Sequence, residues 1–168
     1  MIASKVVSNA LLFDWGNTLM MDFGHEQGKM KDWPCVEACP FALETLQILA
    51  KRYPIYIATS AQDSNESEIR EAFKRVGLDV FISGYFCYDN LGLSKGTKPF
   101  YQAIAKKLDC APHTLTMIGD NYEKDIASAL ESGLNAIWLN HSGSRGVKHV
   151  DSISSLNELP ELLQKWVS

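Results

Sequence analysis

The chain has 168 residues, of which 46% are hydrophobic and 21% charged, and its net charge is −4. These fractions fit one globular domain. No run of Lys or Arg exceeds two residues, which excludes a nucleic-acid footprint and a basic membrane face. The opening Met1-Ile2-Ala3-Ser4-Lys5-Val6-Val7 has no signal-peptide core, and no apolar stretch is long enough to span a bilayer. A cytoplasmic location with no membrane partner is therefore expected.

Apolar runs alternate with helical patterns along the chain, which predicts βαβ units. The expected fold is a single α/β domain over 1–168, doubly wound in three layers, with a five-stranded, mainly parallel sheet. The first strand covers Ala10 to Asp14. A polar, glycine-containing stretch follows it. The segment 19–39 is too short for a core of its own, so a flap or hairpin is expected there, not a cap domain. Pro40 opens a helix with Leu43, Leu46, Ile48 and Leu49 among its apolar residues, ending before Pro54. The second strand is Ile55 to Ala58, ending at Thr59 and Ser60.

Asn65 and Glu68 have the spacing of a capping box. Ile69, Phe73 and Val76 then recur at helical spacing until Gly77. A third strand is expected near Tyr85 to Tyr88. A loop with Lys95 and Lys98 leads to Pro99, which starts a helix buried through Phe100, Ile104 and Leu108. The fourth strand, Leu115 to Ile118, ends at Gly119-Asp120. A helix through Ile126 and Leu130 stops at Gly133. The fifth strand is Ala136 to Leu139. A turn-rich loop, His141 to Gly146, and a last helix from about Glu158 to Trp166 complete the chain.

The four cysteines, Cys35, Cys39, Cys87 and Cys110, read as free thiols. Cys35 and Cys39 are close enough to share a helix face, but no Cys or His pair lies nearby to complete a zinc site. They are expected to be small buried hydrophobes.

Asp14 and Asp120 each end an apolar run. Such positions lie at the carboxyl edge of a parallel sheet, where open α/β folds bind ligands. Two carboxylates brought together there repel unless a cation sits between them. Hard oxygen donors without a Cys/His cluster point to Mg²⁺. These residues form the skeleton of a site that handles phosphoryl groups.

Four segments in order carry a resemblance. They are Asp14-Trp15-Gly16-Asn17-Thr18-Leu19, Thr59 after the second strand, Lys98-Pro99, and Gly119-Asp120 with Asp125. Together they resemble the haloacid dehalogenase (HAD) superfamily of hydrolases, over roughly Ala10 to Leu139. The resemblance implies a Rossmann-like, HAD-type fold with strand order 5-4-1-2-3. It implies a phosphatase acting on phosphomonoesters or acyl phosphates, with Asp14 as nucleophile, an aspartyl-phosphate intermediate, and Thr59 and Lys98 as catalytic partners. By the same resemblance Asp14, Asp120, Asp125 and the Gly16 carbonyl hold Mg²⁺. Trp15, Asn17, Thr18, Thr59, Ser60 and Lys98 would contact the substrate. Lys95 competes with Lys98, and the proline after Lys98 favours the latter. Trp15 should point away from Asp14 by strand alternation, which suits packing. Asp63 reads as a turn residue or helix cap.

One position departs from the family pattern. Family phosphatases carry an acid two residues after the nucleophile, and Gly16 stands there. A missing proton donor costs roughly 10² to 10⁴ in rate, most for poor leaving groups. The alternative is a phosphoryl-binding or interaction protein with little turnover. A receiver-like domain fits less well, since Asp14 lacks an acidic partner near the first strand. Asp22, His25 and Glu26 of the 19–39 segment are candidates to supply the acid from a loop folded over the site. A capless site is open. By analogy with capless relatives, the partner is a phosphorylated small molecule or macromolecule, and a homo-oligomer is one way to close the site.

Overall fold

Six parallel strands form one sheet in this computed structural model, which describes residues 8–168; the reading of Met1 to Val7 lies outside them. The strands are β1 (Ala10–Phe13), β2 (Ile55–Ala58), β3 (Gly84–Phe86), β4 (Leu115–Gly119), β5 (Asn135–Leu139) and β6 (Asp151–Ile153). Their order is β3-β2-β1-β4-β5-β6. This is the expected order with one strand added at the edge. The five-strand expectation is corrected by β6, which pairs Ile137 with Asp151 and Leu139 with Ile153. It escapes a hydrophobicity reading because it is three residues long and exposes Asp151 and Ser152.

β1 is the central strand and is buried throughout. Its side chains alternate between two cores. Leu11 and Phe13 face one core with residues of α1 (Ala42–Leu49), α2 (Glu66–Arg75) and α6 (Leu159–Val167). Ala10 and Leu12 face the other, with Phe100, Ile104 and Ala129. Those residues come from α4 (Lys98–Lys107) and α5 (Ser128–Glu131). A short helix, α3 (Tyr88–Leu91), follows β3. Helices therefore cover both faces of the sheet, and no described helix is long and apolar enough to cross a membrane.

Local chemistry explains most boundaries. Asn65 caps α2 by accepting from the Glu68 N–H, and the Glu68 side chain accepts from the Asn65 N–H, so both arms of the capping box form. Other positions differ from expectation. α1 buries the stripe Ala42, Thr45, Leu46 and Leu49 and leaves Leu43 and Ile48 exposed. β3 stops at Phe86 because Cys87 caps α3, its N–H donating to Asn90 Oδ1 at 3.0 Å. Leu130 is exposed, while Ala129 beside it is buried. All four cysteines are free, and Cys35 is exposed, not buried.

Residues 19–39 form an irregular loop with one 3₁₀ turn, Met30–Asp32. Its two ends run side by side. The Met21 N–H donates to the Glu37 carbonyl at 2.9 Å and the Cys39 N–H to the Leu19 carbonyl at 2.8 Å. Its middle is tied to α2 by the Lys29–Glu68 ion pair and by Arg75 donating to the Trp33 carbonyl at 2.6 Å. These ties lay the loop along one wall of the cleft above the sheet.

Candidate active site

The ends of β1 and β4 meet at a cleft of about 350 Å³, within the size range of small-molecule sites. Asp14 leaves β1 still in the ladder, its N–H donating to the Ile118 carbonyl at 2.9 Å. A tight turn follows. The Trp15 carbonyl accepts from Leu19 and Met20 at 3.1 Å each, and Asn17 adopts a left-handed φ of 60°. Trp15 turns into the core, with its ring 6.0 Å from Phe73 and Nε1 3.3 Å from Met20 Sδ. Alternation along the strand thus holds, and Trp15 reaches the cleft only as part of its wall.

Asp120 follows β4. Its carbonyl accepts from Trp138 Nε1 at 3.0 Å. The chain then makes a widened, π-helical turn over Tyr122–Ala127, a geometry that often marks functional positions. That turn swings Asp125 back under the strand end, where Asp125 Oδ2 accepts from the Asn121 N–H at 3.0 Å. The approach needs a glycine at 119, because a Cβ there would lie 2.2 Å from Asp125 Oδ2.

Lys95 is the cation of this site. Its Nζ lies 2.7 Å from Asp14 Oδ1, 2.5 Å from Asp125 Oδ1 and 2.8 Å from the Ala58 carbonyl. Lys98, expected in that place, is the first residue of α4 and is exposed, outside the cleft. The reason is electrostatic and geometric. A lysine at a helix N-terminus meets the positive end of the dipole and turns to solvent. Lys95 sits in the loop before it, level with the strand ends.

Thr18 is also corrected. Its hydroxyl is fully buried and lies 3.1 Å from Asp14 Oδ2 and 3.2 Å from Asp120 Oδ1. It bridges the two carboxylates and does not border the cleft. Thr59 and Ser60 do border it, as do Asn17 and Gly16. The Thr59 N–H continues the ladder to Phe86 at 3.0 Å, and its Oγ1 accepts from the Ala61 N–H at 3.1 Å. Met30 and Trp33 of the loop, and Asn121 and Lys124 after Asp120, add walls that the motif reading did not include.

Carboxylate oxygens of Asp14, Asp120 and Asp125 lie within 4.8 Å of one another. Two of these carboxylates, Asp14 and Asp125, share the Lys95 ammonium. Burial, then a hydrogen bond and charge from Asp14, push the Asp120 carboxyl up to about 7. Burial also raises Asp125, to about 6, with Lys95 opposing and Asp14 adding. Burial pulls Lys95 down, but the charges of Asp14 and Asp125 outweigh it and hold the ammonium protonated, well above its usual range. The Cys39 thiol is pushed up to about 12 by burial and then by Asp120 and Asp14, so it is inert as a nucleophile or soft ligand. An all-oxygen set that holds protons for want of positive charge fits a hard divalent cation.

Comparison with known proteins agrees with this geometry. The sequence profile of the haloacid dehalogenase-like hydrolases matches residues 16–133. A glyceraldehyde 3-phosphate phosphatase of Methanothermobacter thermautotrophicus is 26% identical over 100 residues, covering 53% of this chain and 44% of that protein. The chain thus spans less than half the length of this curated relative. An uncharacterized protein of Listeria monocytogenes serotype 4b superposes with a TM-score of 0.80 at 19% identity, over 94% of this chain and 98% of its own. A HAD phosphatase of Thermococcus onnurineus superposes with a TM-score of 0.66 at 25% identity, over 76% of this chain and 59% of its own.

Proposed function

Because the chain belongs to the haloacid dehalogenase-like hydrolase family, we propose that it is a Mg²⁺-dependent phosphatase working through Asp14. The observation that carries this reading is the placement of Asp14 at the cleft, held at one oxygen by Lys95 and at the other by Thr18. A carboxylate fixed at both oxygens keeps a constant attack direction, which lowers the entropic part of the barrier. The Asp14 carboxylate attacks phosphorus and the bond to the leaving oxygen breaks, giving an aspartyl-phosphate. Water then hydrolyses that ester and releases inorganic phosphate.

Each neighbour has a role set by its charge. Lys95 stays protonated, pairs with Asp14 and offsets charge as the phosphoryl group arrives. Thr59, Ser60 and the backbone N–H groups of the turn after Asp14 would bind phosphoryl oxygens. Thr18 sets the spacing of Asp14 and Asp120. Asp14, Asp120 and Asp125, with the Gly16 carbonyl, would hold Mg²⁺, which when bound supplies the positive charge that lets two anions meet. The loop 19–39 forms a wall of a single catalytic domain in this reading.

The likeness to a glyceraldehyde 3-phosphate phosphatase favours a phosphomonoester as the physiological class, with acyl phosphates as the chemically easier one. Gly16 favours a second reading, a phosphoryl-binding protein that turns over little. Phosphate release from acetyl phosphate and from an aryl phosphate, with and without Mg²⁺, separates the two. The phosphatase reading expects release that needs Mg²⁺ and disappears in Asp14→Asn. Binding of phosphate without turnover in either protein would favour the second reading.

A further inference from the structure

Cleavage of an alkyl phosphate needs a proton for the departing oxygen, and the turn after Asp14 offers none at position 16. The structure fills that place from elsewhere. A Cβ on Gly16 would lie 3.3 Å from Asp22 Cβ and 3.5 Å from Asp22 Oδ2. The Asp22 side chain, arriving from the far side of the same turn, therefore lies against the position where a side chain at 16 would begin. Both Gly16 and Asp22 border the cleft.

The turn itself holds Asp22 there. Asn17 is left-handed, and its Oδ1 accepts from the N–H of Asp22, five residues on, at 3.0 Å. The Asn17 N–H donates to the Met20 carbonyl at 2.6 Å, and the Met21 N–H pairs with Glu37. These bonds hold the backbone at Asp22 and just before it and leave its carboxyl group solvent-exposed. Other proton carriers are placed less well. His25 and Glu26 pair with each other at 3.4 Å and do not border the cleft. Lys95 is committed to two carboxylates and a carbonyl. Asp63, which accepts from the Ser64 hydroxyl at 3.1 Å, borders the cleft on the Thr59 side.

We propose that Asp22 is the general acid and base of this enzyme, replacing from the 19–39 loop the group that Gly16 cannot supply. The inference rests on the phosphatase reading. In the first step the Asp14 carboxylate forms a bond to phosphorus and the bond from phosphorus to the leaving oxygen breaks. The Asp22 carboxyl proton goes to that oxygen, so an alcohol departs and Asp22 becomes a carboxylate. In the second step Asp22 takes a proton from water as the water oxygen attacks phosphorus. The bond from phosphorus to Asp14 breaks, inorganic phosphate leaves, and both aspartates return to their starting states.

Single-turnover formation of the Asp14 phosphoenzyme, read by acid quench and mass spectrometry with Mg²⁺ present, tests this. The probes are acetyl phosphate, whose leaving group needs no proton, and glycerol 2-phosphate, whose leaving group does. Asp22→Asn is expected to slow phosphorylation by glycerol 2-phosphate by about 10²-fold or more, and by acetyl phosphate less than about threefold. Phosphoenzyme made from acetyl phosphate should also accumulate, since its hydrolysis loses the base. Glu26→Gln should match the wild type. Gly16→Asp combined with Asp22→Gly should recover the glycerol 2-phosphate rate to within about tenfold. Equal losses on both substrates, or less than about threefold on glycerol 2-phosphate, would overturn the role of Asp22 while Asp14-dependent acetyl phosphate turnover upholds the phosphatase reading. No phosphoenzyme from either substrate in the wild type overturns both.

Discussion

Lys95 and Asp22 border the same cleft, yet Lys95 is 6% exposed and locked between two carboxylates, while Asp22 is exposed and held only through its backbone. The floor of the cleft is a closed electrostatic unit built on strand ends. The loop wall is a set of backbone hydrogen bonds that leaves a side chain free. Charges in the floor are desolvated, so each depends on its partners. Charges on the wall are screened and nearly independent of one another. Groups that must not move sit in the floor, and a group that exchanges protons with solvent sits on the wall.

That contrast is tested first at Lys95. Lys95→Ala removes the ammonium that pairs with Asp14 and Asp125, and it should destabilise the protein by about 3–5 kcal/mol, as expected for a buried pair that loses one partner. Urea unfolding in EDTA measures this, and added Mg²⁺ should recover part of the loss. A cost near zero would mean that the floor is not an electrostatic unit.

Gly119→Ala should come next. Its Cβ would collide with Asp125 Oδ2, at a cost of about 1–3 kcal/mol for an overpacked site. Mg²⁺ affinity, read by calorimetry, should fall with stability because Asp125 must move.

The pH dependence follows from the raised carboxyls. Asp120 is raised to about 7, above the usual carboxyl value of 3.8, so the folded state binds that proton more tightly than the unfolded state does. Its contribution to stability is full below the unfolded value and is lost as pH rises through the folded one. Thermal unfolding in EDTA should therefore show stability drifting down between about pH 4 and 7 from this group. Mg²⁺ should reverse the drift by stabilising the ionised form, and cation binding should release protons near neutral pH. Mg²⁺ affinity that does not change over this range would contradict the reading.

The smallest effects belong to the exposed positions. Asp22→Asn and Lys98→Ala should each change stability by less than about 0.5 kcal/mol, as for exposed sites. Lys98→Ala should also leave phosphoenzyme formation within about threefold of the wild type. A large loss at Lys98 would restore the sequence-based choice over Lys95.

Much of this molecule is legible in its sequence because strand ends are punctuated by short-range chemistry. The apolar run before Asp14, the Gly119-Asp120 turn and the Asn65–Glu68 capping box each declare themselves within a few residues. So do the central strands, since buried parallel strands must be continuously apolar, while their order comes only from the family resemblance. β6 does not declare itself, because an edge strand with two exposed residues has no apolar signature. The choice between Lys95 and Lys98 is likewise invisible locally. Lys95 lies just before α4 and Lys98 opens it, and only the way α4 docks on the sheet decides which one reaches Asp14.

The sequence by itself determined the α/β class, the strand that carries Asp14 and the gap left by Gly16. Tertiary structure alone decided which lysine closes the charge balance, that Thr18 ties carboxylates and does not contact the cleft, and that the Asp22 side chain lies against Gly16. The physical reason is range. Strands, turns and caps are selected by contacts a few residues apart, whereas a buried charge cluster forms between side chains far apart along the chain and exists only once the sheet has brought its strand ends to one edge.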